Sequence, residues 1–163
     1  MIKQQMMFEN FSADSKVWIY QSERPFTNEE IIYINDATKV FTKQWTAHNL
    51  QLKAAGSVIE DRFILLMVDE TQAGASGCSI DKSVHFIQQL QDQLNVNLFN
   101  RLLISFKNEK GIHTIPLIDL HKALSENNLT SFTPIFNTTV LSKSQFENQW
   151  MIPLNESWAK NRV

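Results

Sequence analysis

One cysteine, Cys78, stands in 163 residues, so no disulfide can form within the chain. A lone thiol fits a reducing compartment. No long apolar run occurs. The longest unbroken one, Phe63 to Val68, is of strand length and far short of the roughly 20 residues a membrane helix needs. The opening MIKQQMMFENF has no apolar core of secretion-signal type. These absences predict a soluble cytoplasmic protein without a membrane partner. Basic runs are missing as well. Lys and Arg are scattered singly and the net charge is −2, which gives no nucleic-acid footprint. The four histidines, His48, His85, His113 and His121, show no H-x₃-H or C-x₂-C ligand spacing, so no metal is expected and no cofactor is indicated. Linkers, repeats and low-complexity stretches are absent, which predicts one domain over 1–163.

What is present suits a packed globule. Hydrophobic residues make up 43% and charged residues 20%, outside the disordered range. A chain of this size buries about 68–70% of its unfolded surface. Eleven Phe and four Trp predict a core or interface rich in rings.

The pattern along the chain alternates strand and helix. Lys16 to Tyr20 reads as a strand. Thr27 and Glu30 form a capping box opening a helix with Ile31, Ile34, Thr38, Phe41 and Trp45 on one stripe. Lys53 to Glu60 is a weak strand broken by Gly56. Arg62 to Val68 is a strong one, apolar enough for burial on both faces. A second helix spans about Ser79 to Leu94, with Ile80, Val84, Ile87, Leu90 and Leu94 facing inward. Arg101 to Phe106 and Ile112 to Leu117 are strands joined by a hairpin loop. A short helix over Ile118 to Glu126, a strand over Pro134 to Val140 and a helix over Ser142 to Trp150 follow. The tail, Met151 to Val163, holds Pro153 and Trp158. The first six elements run β-α-β-β-α-β, the ferredoxin-like order of an antiparallel sheet with helices on one face. The expected fold is therefore α+β, with a core over about 16–106 and a β-α-β-α extension over about 107–163 that lengthens or covers the sheet. A bare sheet face or edge makes a homodimer a natural arrangement for such a fold.

The stretch from Arg62 to Ile87 is the best place for a site, since loops on rigid elements carry most function. A buried strand ends in Asp69-Glu70. The small-residue loop Gly74-Ala75-Ser76-Gly77-Cys78 then leads into a helix carrying Lys82-Ser83. Leu65 to Glu70 resembles a Walker B strand, and the loop resembles a phosphate loop. Together with VWIYQSERPFT, QWTAH, ASGCSIDKSVHFI and the closing W-x-x-P-x-x-x-S-W, these fragments make the chain similar to a family of short bacterial proteins often labelled "ABC transporter ATPase". That resemblance implies no activity of its own. The residues argue against the label. A phosphate loop is G-x-x-x-x-G-K-[ST], with Gly directly before Lys so that main-chain amides reach the phosphates. Here Asp81 precedes Lys82, and Ser76 stands where the first Gly belongs. No LSGGQ-type signature occurs, and the Walker B-like strand lies before the loop rather than far after it.

Three kinds of chemistry remain open. Cys78 just before a helix is a candidate nucleophile, since amides and dipole there favour thiolate. Asp81 and His85, four residues apart, can pair on the helix surface and orient an imidazole. His85 lies two turns from Cys78, about 10 Å along the axis, too far to touch it. Asp69 and Glu70 can act as acids or bind a ligand, or simply cap the turn. The amides of Gly74, Ser76, Gly77 and Ser79 at a helix start can form an anion nest, with Arg62, Lys82 and Ser83 beside it. The favoured reading is a non-catalytic binding or regulatory module. It holds a small anionic ligand or a protein partner at loop 74–83, lined by Asp69, Glu70 and His85. The alternatives are a small enzyme using Cys78, and a nucleotide-binding protein with degenerate Walker-like fragments. The rings of the tail, Phe146 to Trp158, suit packing across the sheet.

Overall fold

The computed structural model describes residues 8–162. The opening residues 1–7, where the sequence shows no signal-type core, and Val163 lie outside it. Two larger antiparallel sheets, a two-stranded ribbon and four α-helices make up the described residues, an α+β arrangement.

The first sheet has the order β1-β5-β4. Strand β1 is Lys16–Gln21, β4 is Lys53–Ile59 and β5 is Phe63–Asp69. Registers include Trp18 opposite Leu66 and Gly56 opposite Leu66. The β4–β5 connection is the three residues 60–62 between paired Ile59 and Phe63. Glu60 and Asp61 take positive φ, 49° and 55°, and the Arg62 amide donates to the Ile59 carbonyl at 3.2 Å, which turns the chain tightly. Between β1 and β4 the chain builds helix α1, Asn28–Gln44, and a two-stranded ribbon of β2, Thr46–Ala47, and β3, Leu50–Gln51. Helix α1 opens with the expected capping box. The Glu30 amide donates to Thr27 Oγ1 and the Thr27 amide to Glu30 Oε2. Helix α2, Gly77–Leu94, follows β5 and closes on Asn95 in the left-handed conformation.

Both helices lie on one face of this sheet, where Ile34, Phe86, Ile87 and Leu90 pack with Tyr20, Ile64, Leu66 and Val68. The opposite face carries Val17, Ile19, Phe63, Leu65 and Met67, covered by Phe136, Val140, Phe146 and Trp150 of the C-terminal part. Every residue of β5 is buried, as the continuous apolar run requires of a strand covered on both sides.

The second sheet has the order β7-β6-β8-β9. Its strands are β6, Leu103–Asn108; β7, Gly111–Pro116; β8, Pro134–Phe136; and β9, Met151–Pro153. Helix α3, Leu120–Ser125, follows a single 3-10 turn at Leu117–Asp119, and α4 is Lys143–Gln149. The sixth element therefore departs from the ferredoxin-like order. Strand β6 does not join β1. Its two edges are filled by β7 through a tight hairpin and by β8 at Phe106–Ile135. The strand expected over Pro134 to Val140 stops at Phe136, because Asn137 turns the chain: its Oδ1 accepts from the amide and hydroxyl of Thr139. Helix α4 is capped by Ser142, whose Oγ accepts from the Gln145 amide at 3.2 Å, while Gln145 Oε1 accepts from the Leu141 amide at 2.8 Å. Buried polar contacts tie the sheets together. Gln21 Nε2 donates to Ser105 Oγ, Arg62 Nη1 donates to Thr114 Oγ1 at 2.7 Å, and Arg62 Nη2 donates to the Ile112 carbonyl at 3.1 Å.

Candidate functional site

The two acids ending β5 hold the loop. Asp69 is 2% exposed. Its Oδ2 accepts from the Ser12 amide at 3.0 Å and from Lys53 Nζ at 2.9 Å, and its Oδ1 accepts from the Thr71 amide at 3.0 Å. Burial pushes this carboxyl up, but the Lys53 ammonium and the two amides outweigh it and hold the group well below the usual carboxylate range. Glu70 Oε1 accepts from the Ala75 amide at 2.7 Å, and its Oε2 pairs with Lys16 at 3.2 Å. The amide of Ala75, in the middle of the expected anion nest, is thus filled by the chain's own carboxylate.

The start of α2 is satisfied in the same internal way. Ser76 is the N-cap, accepting from the Ser79 amide at 3.3 Å, while the Ser76 amide donates to Ser79 Oγ at 2.7 Å. Ser79 and Ser83 are fully buried. The hydroxyl of Ser79 donates to the Ser76 carbonyl, and that of Ser83 to the Ile80 carbonyl. Neither serine faces outward as a ligand group, which corrects the expected site. The inward stripe of α2 is Ser79, Ser83, Phe86, Ile87 and Leu90, turned about one residue from the expected Ile80-Val84-Ile87 line. The cause is Trp45, whose indole lies against the first turn and donates from Nε1 to the Ser79 carbonyl at 2.8 Å. Small side chains fit beneath it. Gly74 and Gly77 do not use the conformational freedom of glycine. Among the described residues only Gly111 is a glycine with positive φ, and a Cβ at Gly77 would meet nothing within 4 Å. Phosphate-cradling loops depend on that freedom.

The remaining candidates share one groove. Cys78, Asp81, Lys82 and His85 line an open trough of about 560 Å³ between the end of α1 and the first three turns of α2. They recur three, four and seven residues apart, so one helix face carries them all. The trough is walled by Phe41, Trp45 and Phe86 and flanked by Gln44 and Gln89. Phe41 and Phe86 stack face to face with centroids 4.4 Å apart, and Phe41 meets Trp45 at 5.0 Å. Sequence reading missed these rings and both glutamines. Phe41 and Trp45, four apart across the end of α1, lie on the stripe whose spacing points to the core.

Within the groove the catalytic geometry is not assembled. His85 Nε2 meets Gln89 Nε2 at 3.3 Å, and no Asp81–His85 ion pair occurs among the described contacts. Cys78 is exposed, and two helical turns separate it from His85. Arg62 is buried and bound to Thr114 and Ile112, away from the loop it was expected to serve. No group of three His, Cys, Asp or Glu side chains suited to a metal occurs among the described residues. None of their helices is long and apolar enough to cross a membrane.

Comparison with protein-family models, with curated proteins and with solved structures returns no match to this chain.

Proposed function

We propose that the protein is a non-catalytic binding module whose site is the α1–α2 groove, and that its occupant is a short segment of a partner protein. The observation that carries this is the make-up of the trough. The ring of Phe41, partly exposed and backed by the buried rings of Trp45 and Phe86, lies between polar groups of both charges, Asp81 and Lys82, with Gln44, His85 and Gln89. Aromatic cores with polar rims characterise protein–protein contacts, whereas small-molecule sites enclose most of their ligand. This groove is open along its length. The loop 74–83 contributes Cys78, Asp81 and Lys82 to it, while Glu70, Ser76 and Ser79 hold the loop in shape. A free anion at the loop amides is disfavoured, because Glu70 already occupies the Ala75 amide.

The test uses three forms of the purified protein as bait: native, Lys82→Glu, and native with a bulky maleimide on Cys78. A partner retained by the native protein and lost by both altered forms supports the reading. A partner retained equally by all three places binding elsewhere and sinks it.

A further inference from the structure

The outer edge of β1 is where a fourth strand would lie in a complete βαββαβ sheet. Since β6 pairs elsewhere, that lane is only partly filled. The Val17 amide donates to the Leu141 carbonyl at 3.1 Å, and the Ile19 carbonyl accepts from Arg101 Nη1 at 2.9 Å. Alternation along an antiparallel strand turns the main-chain groups of Val17 and Ile19 to this side. Beside them opens a cleft of about 450 Å³, walled by Thr138, Val140 and Trp158 as well as β1.

Among the described residues, Arg101 is the sole titratable side chain lining this cleft. It is fixed by the Ile19 carbonyl and by the Tyr20 ring, whose centroid lies 5.4 Å from the guanidinium carbon. No carboxylate pairs with it among the described salt bridges. A guanidinium carries five N–H donors in a rigid fork, and among the described residues a single one is taken here. The cleft thus presents a held cation with spare donors, the hydroxyl of Thr138, and apolar walls, with no acid to answer the charge. That is the complement of an anion on an apolar body.

We propose that this cleft is a second binding site, separate from the α1–α2 groove, and that it takes a small organic anion. Its carboxylate or phosphate head meets Arg101 and Thr138, and its ring or alkyl body lies against Val17, Val140 and Trp158.

The experiment titrates the purified protein with phenyl phosphate, benzoate and inorganic phosphate, read by tryptophan fluorescence and calorimetry. Phenyl phosphate or benzoate binds saturably, and whichever binds tighter identifies the head group. Inorganic phosphate binds about tenfold or more weaker, lacking the body. Arg101→Gln loses about tenfold or more in affinity, the scale of a charge-assisted hydrogen bond, and Arg101→Lys loses less. Thr138→Val weakens binding and provides a second variant should Arg101→Gln fold poorly. Lys82→Glu binds as the native protein does, which separates this site from the groove. Absence of saturation by both organic anions up to about 10 mM, weaker than useful ligand affinities, overturns the proposal. So does native affinity in both Arg101→Gln and Thr138→Val.

Discussion

The indole Nε1 of Trp45 donates to the main-chain carbonyl of Ser79 at 2.8 Å, and this bond fastens the end of α1 to the first turn of α2. The same ring meets Phe41 at 5.0 Å and Trp18 at 5.8 Å, and it is buried to 1% exposure. One side chain thus sets the spacing of the two walls of the groove. Trp45→Phe removes the donor and part of the ring. It should cost about 2 kcal/mol, from a lost buried hydrogen bond and a small cavity. Chemical denaturation of the variant checks this, and a loss below about 0.5 kcal/mol, the scale of a surface change, contradicts it.

Two glycines should respond in opposite ways to alanine. A Cβ at Gly56 would lie 2.6 Å from Thr38 Cγ2, 2.7 Å from the Leu65 carbonyl oxygen and 2.8 Å from Leu66 Cδ2. Gly56 is what lets α1 close on β4, so Gly56→Ala should destabilise by about 1–3 kcal/mol through overpacking. Gly77 begins α2 with open space around it. Gly77→Ala should be neutral or stabilise by up to about 1 kcal/mol, by restricting the unfolded chain. Paired thermal melts read both. A stable Gly56→Ala would mean that α1 sits further from the sheet.

How much of this was legible in the sequence depends on what each residue needs as a neighbour. The Thr27 box, the buried strand Phe63 to Val68 and the two long helices are local features, and the structure contains them at or near the expected positions. The two acids ending β5 were visible as a cap and as a ligand pair. Only the fold shows that Lys53, Ser12 and Thr71 use up Asp69. The rotation of α2 was hidden because it depends on Trp45, 34 residues before Ser79. Hydropathy favours Ile80 and Val84 inside, whereas the nearby indole favours Ser79 and Ser83. The place of β6 was hidden for a related reason. Its pattern suits either sheet, and pairing with β7 and β8 is decided by a hairpin and a distant strand.

The Asp69 cluster carries a pH dependence of defined sign. Its folded carboxyl titrates below the usual value of about 4, so the folded chain binds fewer protons there than the unfolded chain. The stabilisation is complete above about pH 4 and is lost as pH falls below it. Asp69→Asn should cost about 1–2 kcal/mol at neutral pH, since the half-exposed Lys53 loses its partner and the buried acceptor of the Ser12 and Thr71 amides loses its charge. The gap between variant and native protein should close as pH falls from about 4 toward 2, the range where the unfolded carboxyl protonates. Urea titrations across pH 2–7 check this, and a gap that widens in acid contradicts it.

Cys78 should behave as a surface thiol without a catalytic base. Two helical turns separate it from His85, whose ring meets Gln89. His85→Ala should therefore leave the rate of iodoacetamide labelling at neutral pH within about twofold of native, because no general base in hydrogen-bond reach is removed. A tenfold or larger drop would revive the reading of Cys78 as an activated nucleophile.

Hydrogen exchange on the captured complex reads whether the α1–α2 groove receives a protein segment, as proposed. Added protection is expected over Phe41 to Trp45 and over Cys78 to Gln89, with β7 and α3 unchanged. Protection confined to other surfaces, with the groove exchanging as in the free protein, would contradict it.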